Sequence, residues 1–300
     1  MMDLGLNRRS FSGPVKNTRV LSTLVFCLLL LGCGGEDITG NSSQGNTDNS
    51  SQGNTGSAQA DGTNSMFPEK ITQNGLAIFG RTGVSSSFLT KVGTAYEAML
   101  QTSSSIDTGM RNSYNSTISS QYVYQRVGLG SPSNYSTMDG GASSPFDANA
   151  VDYIWEGASG ADQIGEVLEH LLHTITAVGF KLAFSSAWDY NNKNSQLYKA
   201  MQQAIDAGDY DVSSYSGIND PEDYNRIITQ EYAYWLILAE WDYFVETGKV
   251  QNGYGNGNEE FKLGKPAEII SRNPLGHQLY QDYPEKILSI PNKTLITSLF

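Results

Sequence analysis

The sequence predicts an α+β fold in which helix predominates. Short β-like runs are confined to the chain before residue 157, three longer segments of helical periodicity follow, and no stretch of 18 or more apolar residues occurs after Cys33.

In chain order, Leu76–Phe79 is a β-like run inside Ile71–Gly80, closed by a glycine. A helix follows over Ser85–Met99, with Ser86 or Ser87 near its start and Phe88, Val92, Tyr96 and Leu100 at near-helical spacing. Gln121–Val127 alternates as a strand does, Leu129–Pro145 is rich in Gly, Ser and Pro and reads as a loop, and Val151–Trp155 is a further strand candidate. The three helices span Asp162–Phe184, Ser195–Ala207, stopped by Gly208, and Pro221–Thr247. The last carries Asp220 as N-cap, Pro221 in the first turn, Glu222 and Asp223 at the positive helix end, and Gly248 beyond its stop. From Gln251 onward Gly, Asn and Pro interrupt the pattern until short elements near Ala267–Ile270 and His277–Tyr283.

The 300 residues carry a formal net charge of −12 and two cysteines, but those totals combine unlike segments. Residues 1–32 hold Arg8, Arg9, Lys16 and Arg19 against Asp3, and without them 15 basic residues face 30 acidic ones. Such a field repels phosphate backbones and anionic lipid surfaces, which argues against a nucleic-acid partner. Val20–Leu31 is a largely apolar run behind the basic residues, too short to span a bilayer comfortably and suited to a signal peptide. Arg8-Arg9-Ser10-Phe11 looks like a twin-arginine export motif, although it lies far from that apolar run.

Leu30-Leu31-Gly32-Cys33 resembles the lipobox of bacterial lipoproteins. The resemblance implies removal of residues 1–32, lipidation of Cys33 and a membrane contact made through the lipid anchor alone. With Gly34 instead of aspartate after the cysteine, it implies the outer membrane or cell surface more than the inner membrane. Ordinary secretion with cleavage near a small residue is the alternative. Residues 33–65 then comprise the lipid site and a linker, in which NSSQGNT occurs at Asn41–Thr47 and again at Asn49–Thr55. A Gly/Ser/Asn/Gln tract of this kind buries too little apolar surface to offset its ordering entropy. Residues 66–300 form one domain with no cysteine, so any metal there is held by imidazole and carboxylate.

Two of the three histidines in the chain fall within Gly165–Thr174. At about 100° per residue, Ile164, Val167, Leu168, Leu171, Ile175, Val178 and Leu182 share one stripe, and Glu166, Glu169, His170 and His173 gather on the other side. Residues three or four apart on a helix have Cβ atoms about 5–6 Å apart, so these acids and imidazoles can converge on one ion or one water. The same spacing also suits a solvated polar face or a hydrogen-bonded cluster. Glu231 is a remote partner for the histidines, because its stripe on the long helix carries Tyr224, Ile227, Tyr234, Trp235 and Leu238 and a carboxylate there calls for a cation. Glu240 is a rival on the other side of that helix.

Glu169-His170-Leu171-Leu172-His173 resembles, with its first two letters exchanged, the HExxH motif of zincin-type metallopeptidases. With Glu166 in place of the first histidine it also looks like the inverted HxxEH motif. The resemblance implies a zincin-like metal-binding helix with a small sheet before it, and Zn2+ or another divalent metal on His170, His173 and Glu231. It implies Glu169 or Glu166 as the base toward a peptide or protein substrate. In Asn273–Tyr280 a turn presents His277 and Tyr280, which could donate to a developing oxyanion, although such turns also serve structure alone. The non-enzymatic alternative is a surface lipoprotein that binds a protein or glycan partner through its tyrosine-rich surface.

Overall fold

The computed structural model describes residues 63, 65–136 and 150–300. The leader, the Cys33 lipid site and the repeated linker lie outside these residues, as does much of the loop expected after Leu129. The described part is α+β, with helices packed on a mixed sheet of strand order β1-β2-β3-β4.

β1 (Glu69–Gln73) and β2 (Leu76–Gly80) form an antiparallel hairpin. Its turn, Asn74-Gly75, has φ of 47° and 87°, and positive φ at both central positions gives a turn whose twist matches that of the strands. α1 (Ser86–Met99) and α2 (Thr108–Ser120) then cross over to β3 (Tyr124–Leu129), which runs parallel to β2, and β4 (Tyr153–Glu156) is parallel to β3. Central parallel strands need cover on both faces. Leu76, Ile78, Val127 and Ile154 join the main core beneath the helices, while Ala77, Phe79, Tyr124 and Tyr153 form a second cluster with Phe67 on the other face.

α1 begins where its serines suggest, with the Ser85 hydroxyl accepting from the Phe88 N–H at 3.1 Å. α2 was not expected, because only Tyr114 and Ile118 of its residues are buried. Tertiary contacts hold it: the Tyr114 hydroxyl is 3.0 Å from that of Tyr96, and its ring meets Phe180 edge-on at 5.5 Å.

α3 (Ala161–His173) continues through a π-helical stretch, Thr174–Phe180, into the short α4 (Lys181–Ala183) and α5 (Ser185–Trp188). The sequence predicts one regular helix over this span, and the wider turn corrects it. Ile164, Val167, Leu168, Leu171, Ile175 and Val178 are buried, but the changed rotation leaves Leu182 42% exposed.

α6 (Gln196–Asp206) and α7 (Pro221–Glu240) complete the central layer. The Asp220 carboxylate accepts from the N–H groups of Glu222 and Asp223 at 2.8 and 2.9 Å, as the sequence suggests. α7 stops well short of Thr247. Asp242, with φ 54°, takes the left-handed position, and the N–H groups of Asp242 and Tyr243 close back on the carbonyls of Ala239 and Leu238, each at 3.0 Å.

Four short helices finish the chain: α8 (Pro266–Arg272), α9 (Pro274–Asp282), α10 (Pro284–Ile287) and α11 (Lys293–Leu299). The first three start at a proline, whose missing N–H would have no helical partner there. Among the described residues no helix is long and apolar enough to cross a membrane.

Candidate metal centre

α3 packs against α7, and the acid and imidazole face of α3 is turned toward it. This face is not a solvated one: His173 is 1% exposed, and Glu166, Glu169, His170 and Glu231 are each at most a quarter exposed. α3 supplies Glu166, Glu169, His170 and His173, α7 supplies Gln230 and Glu231, the residues leading into β4 supply Asp152, and the loop after α7 supplies Lys249.

The orientation of His173 follows from what its neighbours are able to accept. Nδ1 lies 2.9 Å from Asp152 Oδ2, which also receives the Gln230 amide at 2.8 Å. An ionised carboxylate only accepts, so Nδ1 carries a proton, and Nε2 is the nitrogen that a metal would bind in exchange for the second proton of the imidazolium. That Nε2 is buried with no hydrogen-bond partner and lies 3.5 Å from Glu231 Oε2. Ligand atoms of Glu169, His173 and Glu231 all lie within 4.8 Å of one another.

His170 is oriented in a similar way. Its Nδ1 is 2.8 Å from the Glu166 carbonyl oxygen and 3.1 Å from Glu166 Oε1, so Nε2 is again the free ligand atom. The two imidazoles stand nearly perpendicular, with centroids 5.5 Å apart, and Asp152, His170 and His173 form a second group with ligand atoms within 4.8 Å.

Glu166 has a further duty. Its Oε1 accepts from the Trp155 N–H at 2.8 Å, while Gln163 donates to the Trp155 carbonyl at 3.0 Å, so α3 grips the outer edge of β4 through two side chains. Gln125 on β3 locks the other end of this assembly, donating to the Asp152 carbonyl at 2.9 Å and accepting from the Thr174 hydroxyl at 2.6 Å.

Lys249 Nζ lies 3.0 Å from Glu169 Oε2. Gly165 admits this approach, since a Cβ there would sit 3.1 Å from the Thr247 carbonyl oxygen and 3.2 Å from Lys249 Cε.

The electrostatics describe a site rich in negative charge. Burial works to raise the Asp152 carboxyl, but the His173 hydrogen bond and the charges of His173, His170 and Arg226 hold it well below the carboxylate range. Burial also opposes ionisation of Glu169, yet Lys249 first and then the two imidazoles bring it down to about 2. Burial disfavours charge on the histidines, and it is outweighed: Glu166, Glu169 and Asp152 push His170 up to about 9, and Glu231 and Asp152 raise His173 well above its usual value. Glu260 shows the strain on this charge balance, pushed up to about 7 by burial and by Glu231. The buried acids call for positive charge, which two imidazolium protons and Lys249 supply in part.

Imidazole nitrogen and carboxylate oxygen without thiolate form a donor set that suits zinc. Tetrahedral ligands at about 2.1 Å from an ion stand roughly 3.4 Å apart, close to the separation of His173 and Glu231. The orphaned Nε2 and its two facing carboxylates therefore fit such an ion.

The structure gathers Glu166, Glu169, His170, His173 and Glu231 around α3 and α7, but the expected ligands fall into two groups that share only His173, with Glu231 in one and His170 in the other, and His277 lies elsewhere. His277 Nδ1 lies 2.8 Å from Glu240 Oε1, and Glu240 is 3% exposed. Glu240 follows Glu231 by nine residues on α7, about 13 Å along the axis. The rival acid and the third histidine thus form their own pair between α7 and α9 and do not reach the cluster. Asp152, Gln125, Gln230 and Lys249 were missed by sequence reasoning. Asp152 lay inside a strand candidate and Gln230 beside Glu231, but no spacing rule links positions so far apart in sequence.

Comparison of the chain with known protein families, with curated proteins and with solved structures finds no match.

Proposed function

We propose that His173 and Glu231, with His170 beside them, hold a divalent metal ion, zinc by their donor set. We propose further that the protein is a metal-dependent hydrolase of peptides, zincin-like in its metal-bearing helix and carried at the cell envelope by a lipid on Cys33. The observation that supports the metal most directly is the buried, unpartnered Nε2 of His173, with Glu231 at 3.5 Å and Nδ1 fixed by Asp152.

The residues divide their roles by what each touches. His173 and His170 bind through Nε2, and Glu231 contributes charge and a ligand oxygen. Asp152 and Glu166 keep the proton of each imidazole on Nδ1, and Glu166, tied to Trp155, positions His170. Glu169, kept ionised by Lys249 at 3.0 Å, is the carboxylate suited to accept a proton during hydrolysis. A zinc ion bound here would polarise a carbonyl and lower the pKa of bound water.

The test is the metal content of purified, dialysed protein together with hydrolysis of a fluorescence-quenched peptide mixture. Stoichiometric zinc that is lost in His173→Ala, with peptide cleavage removed by Glu169→Gln, supports the reading. A folded wild type that takes up no zinc contradicts the metal site. Zinc without cleavage removes the hydrolase and leaves a binding protein.

A further inference from the structure

A cavity of about 290 Å³ opens next to the cluster, and its chemistry differs from the rest of this acidic chain. Its walls include Val151, Ala177, Lys181, Leu182, Tyr190 and Arg226. Lys181 lies 3.7 Å over the Tyr190 ring and, among the described residues, pairs with no carboxylate. Among the described residues Arg226 forms an ion pair only with the half-exposed Asp223, through one nitrogen at 3.3 Å. Two cations in a pocket that Val151, Ala177 and Leu182 also line, in a chain of formal net charge −12, mark a place for an anion with an apolar stem.

The cavity is built from the same elements as the cluster. Val151 precedes Asp152, Ala177 follows His173 by about one turn, and Arg226 precedes Glu231 on α7. Five residues of helix span about 7–8 Å, and two residues of extended peptide span about 7 Å. Arg226 is also among the charges that hold Asp152 ionised, which places its positive field at the edge of the cluster. Ala177 and Tyr190 of the cavity wall also pack with Gln230, which donates to Asp152 of the cluster at 2.8 Å.

We infer that this cavity is a carboxylate-binding subsite for peptides, with Lys181 and Arg226 engaging a carboxylate about two residues from the bond presented to the cluster. The inference rests on the proposed hydrolase for its place in a reaction, but not for the binding itself. The carboxylate comes either from a peptide C-terminus or from an acidic side chain, and both offer the planar acceptor that a guanidinium matches.

Binding to the purified protein, with and without chelator, is measured by calorimetry for three probes. These are acetyl-trialanine as the free acid, the same peptide as its C-terminal amide, and an amide carrying one glutamate. The expected result is that at least one acid binds tenfold or more tighter than the neutral amide, and the better acid identifies the source of the carboxylate. Lys181→Gln with Arg226→Gln removes the preference while zinc content stays at the wild-type level, and each single variant is measured so that the result does not depend on the double variant's folding. Equal binding of all three probes overturns the subsite, as does a preference that survives the substitutions. A preference retained by protein that holds no zinc supports the subsite and defeats the hydrolase reading.

Discussion

His173 is useful as a ligand because of what lies on its far side. Asp152 holds Nδ1–H at 2.9 Å, Gln230 and Gln125 hold Asp152, and the unpaired Nε2 is left beside Glu231. Asp152→Asn places an amide that can donate where only an acceptor belongs, so zinc affinity is expected to fall by about 10–100-fold, read by competition with a chromogenic chelator. The pair His277 and Glu240 makes a different prediction. Burial raises the Glu240 carboxyl and His277 opposes that rise. A carboxyl raised on folding contributes stability that is fully present below its unfolded value and is lost as pH climbs through its folded value. His277→Ala raises Glu240 further, and at pH 7 leaves a buried carboxylate without its donor, at a cost of about 2 kcal/mol. That deficit should shrink as pH falls toward the carboxylate range, measured by denaturant unfolding across pH. Of the residue-level site, the face Glu166, Glu169, His170 and His173 and the remote Glu231 were legible, because helix spacing and a charge on an aromatic stripe are local signals. Asp152, Gln125 and Lys249 were not, since only the packing of β3, β4 and the post-α7 loop brings them there.

At the scale of elements, legibility follows chemistry at the ends. α1, α6 and the start of α7 carry side-chain caps, and Gly208 ends α6 with φ 70°, all visible in sequence. The end of α7 is hidden, because an aspartate takes the left-handed position that glycine usually marks. Asp242→Gly relieves that conformation without touching its backbone hydrogen bonds and should stabilise the fold by about 0.5–1 kcal/mol, read as a raised Tm. The π-helical stretch is hidden for another reason: it depends on α2. Gly179 lets the Tyr114 ring approach so closely that a Cβ would stand 2.7 Å from Tyr114 Cε2. α2 itself gives almost no periodic signal, with only Tyr114 and Ile118 buried, so neither partner predicts the other from sequence. The stretch begins directly after His173, and the changed turn carries Ala177 and Lys181 to the neighbouring cavity.

For the whole molecule, the fold class was readable, whereas β1, α2 and the sheet's registers were not. Strand-like runs followed by helices gave the α+β class, whereas the parallel pairing of β2, β3 and β4 depends on crossovers that no local pattern encodes. The sheet fixes Asp152 and Trp155, α3 is fastened to that edge by Glu166 and Gln163, and α7 closes over α3 with Glu231. A metal held at this junction would join α3 to α7, so it should stabilise the fold. At free metal a hundredfold above Kd the gain is about 2.7 kcal/mol. The most direct measurement is a zinc titration by calorimetry, run on the metal-stripped wild type, on His173→Ala and on His277→Ala. The account predicts one zinc per chain for the wild type and for His277→Ala, and no comparable binding for His173→Ala. Equal binding by His173→Ala, or a folded wild type that binds none, would contradict it.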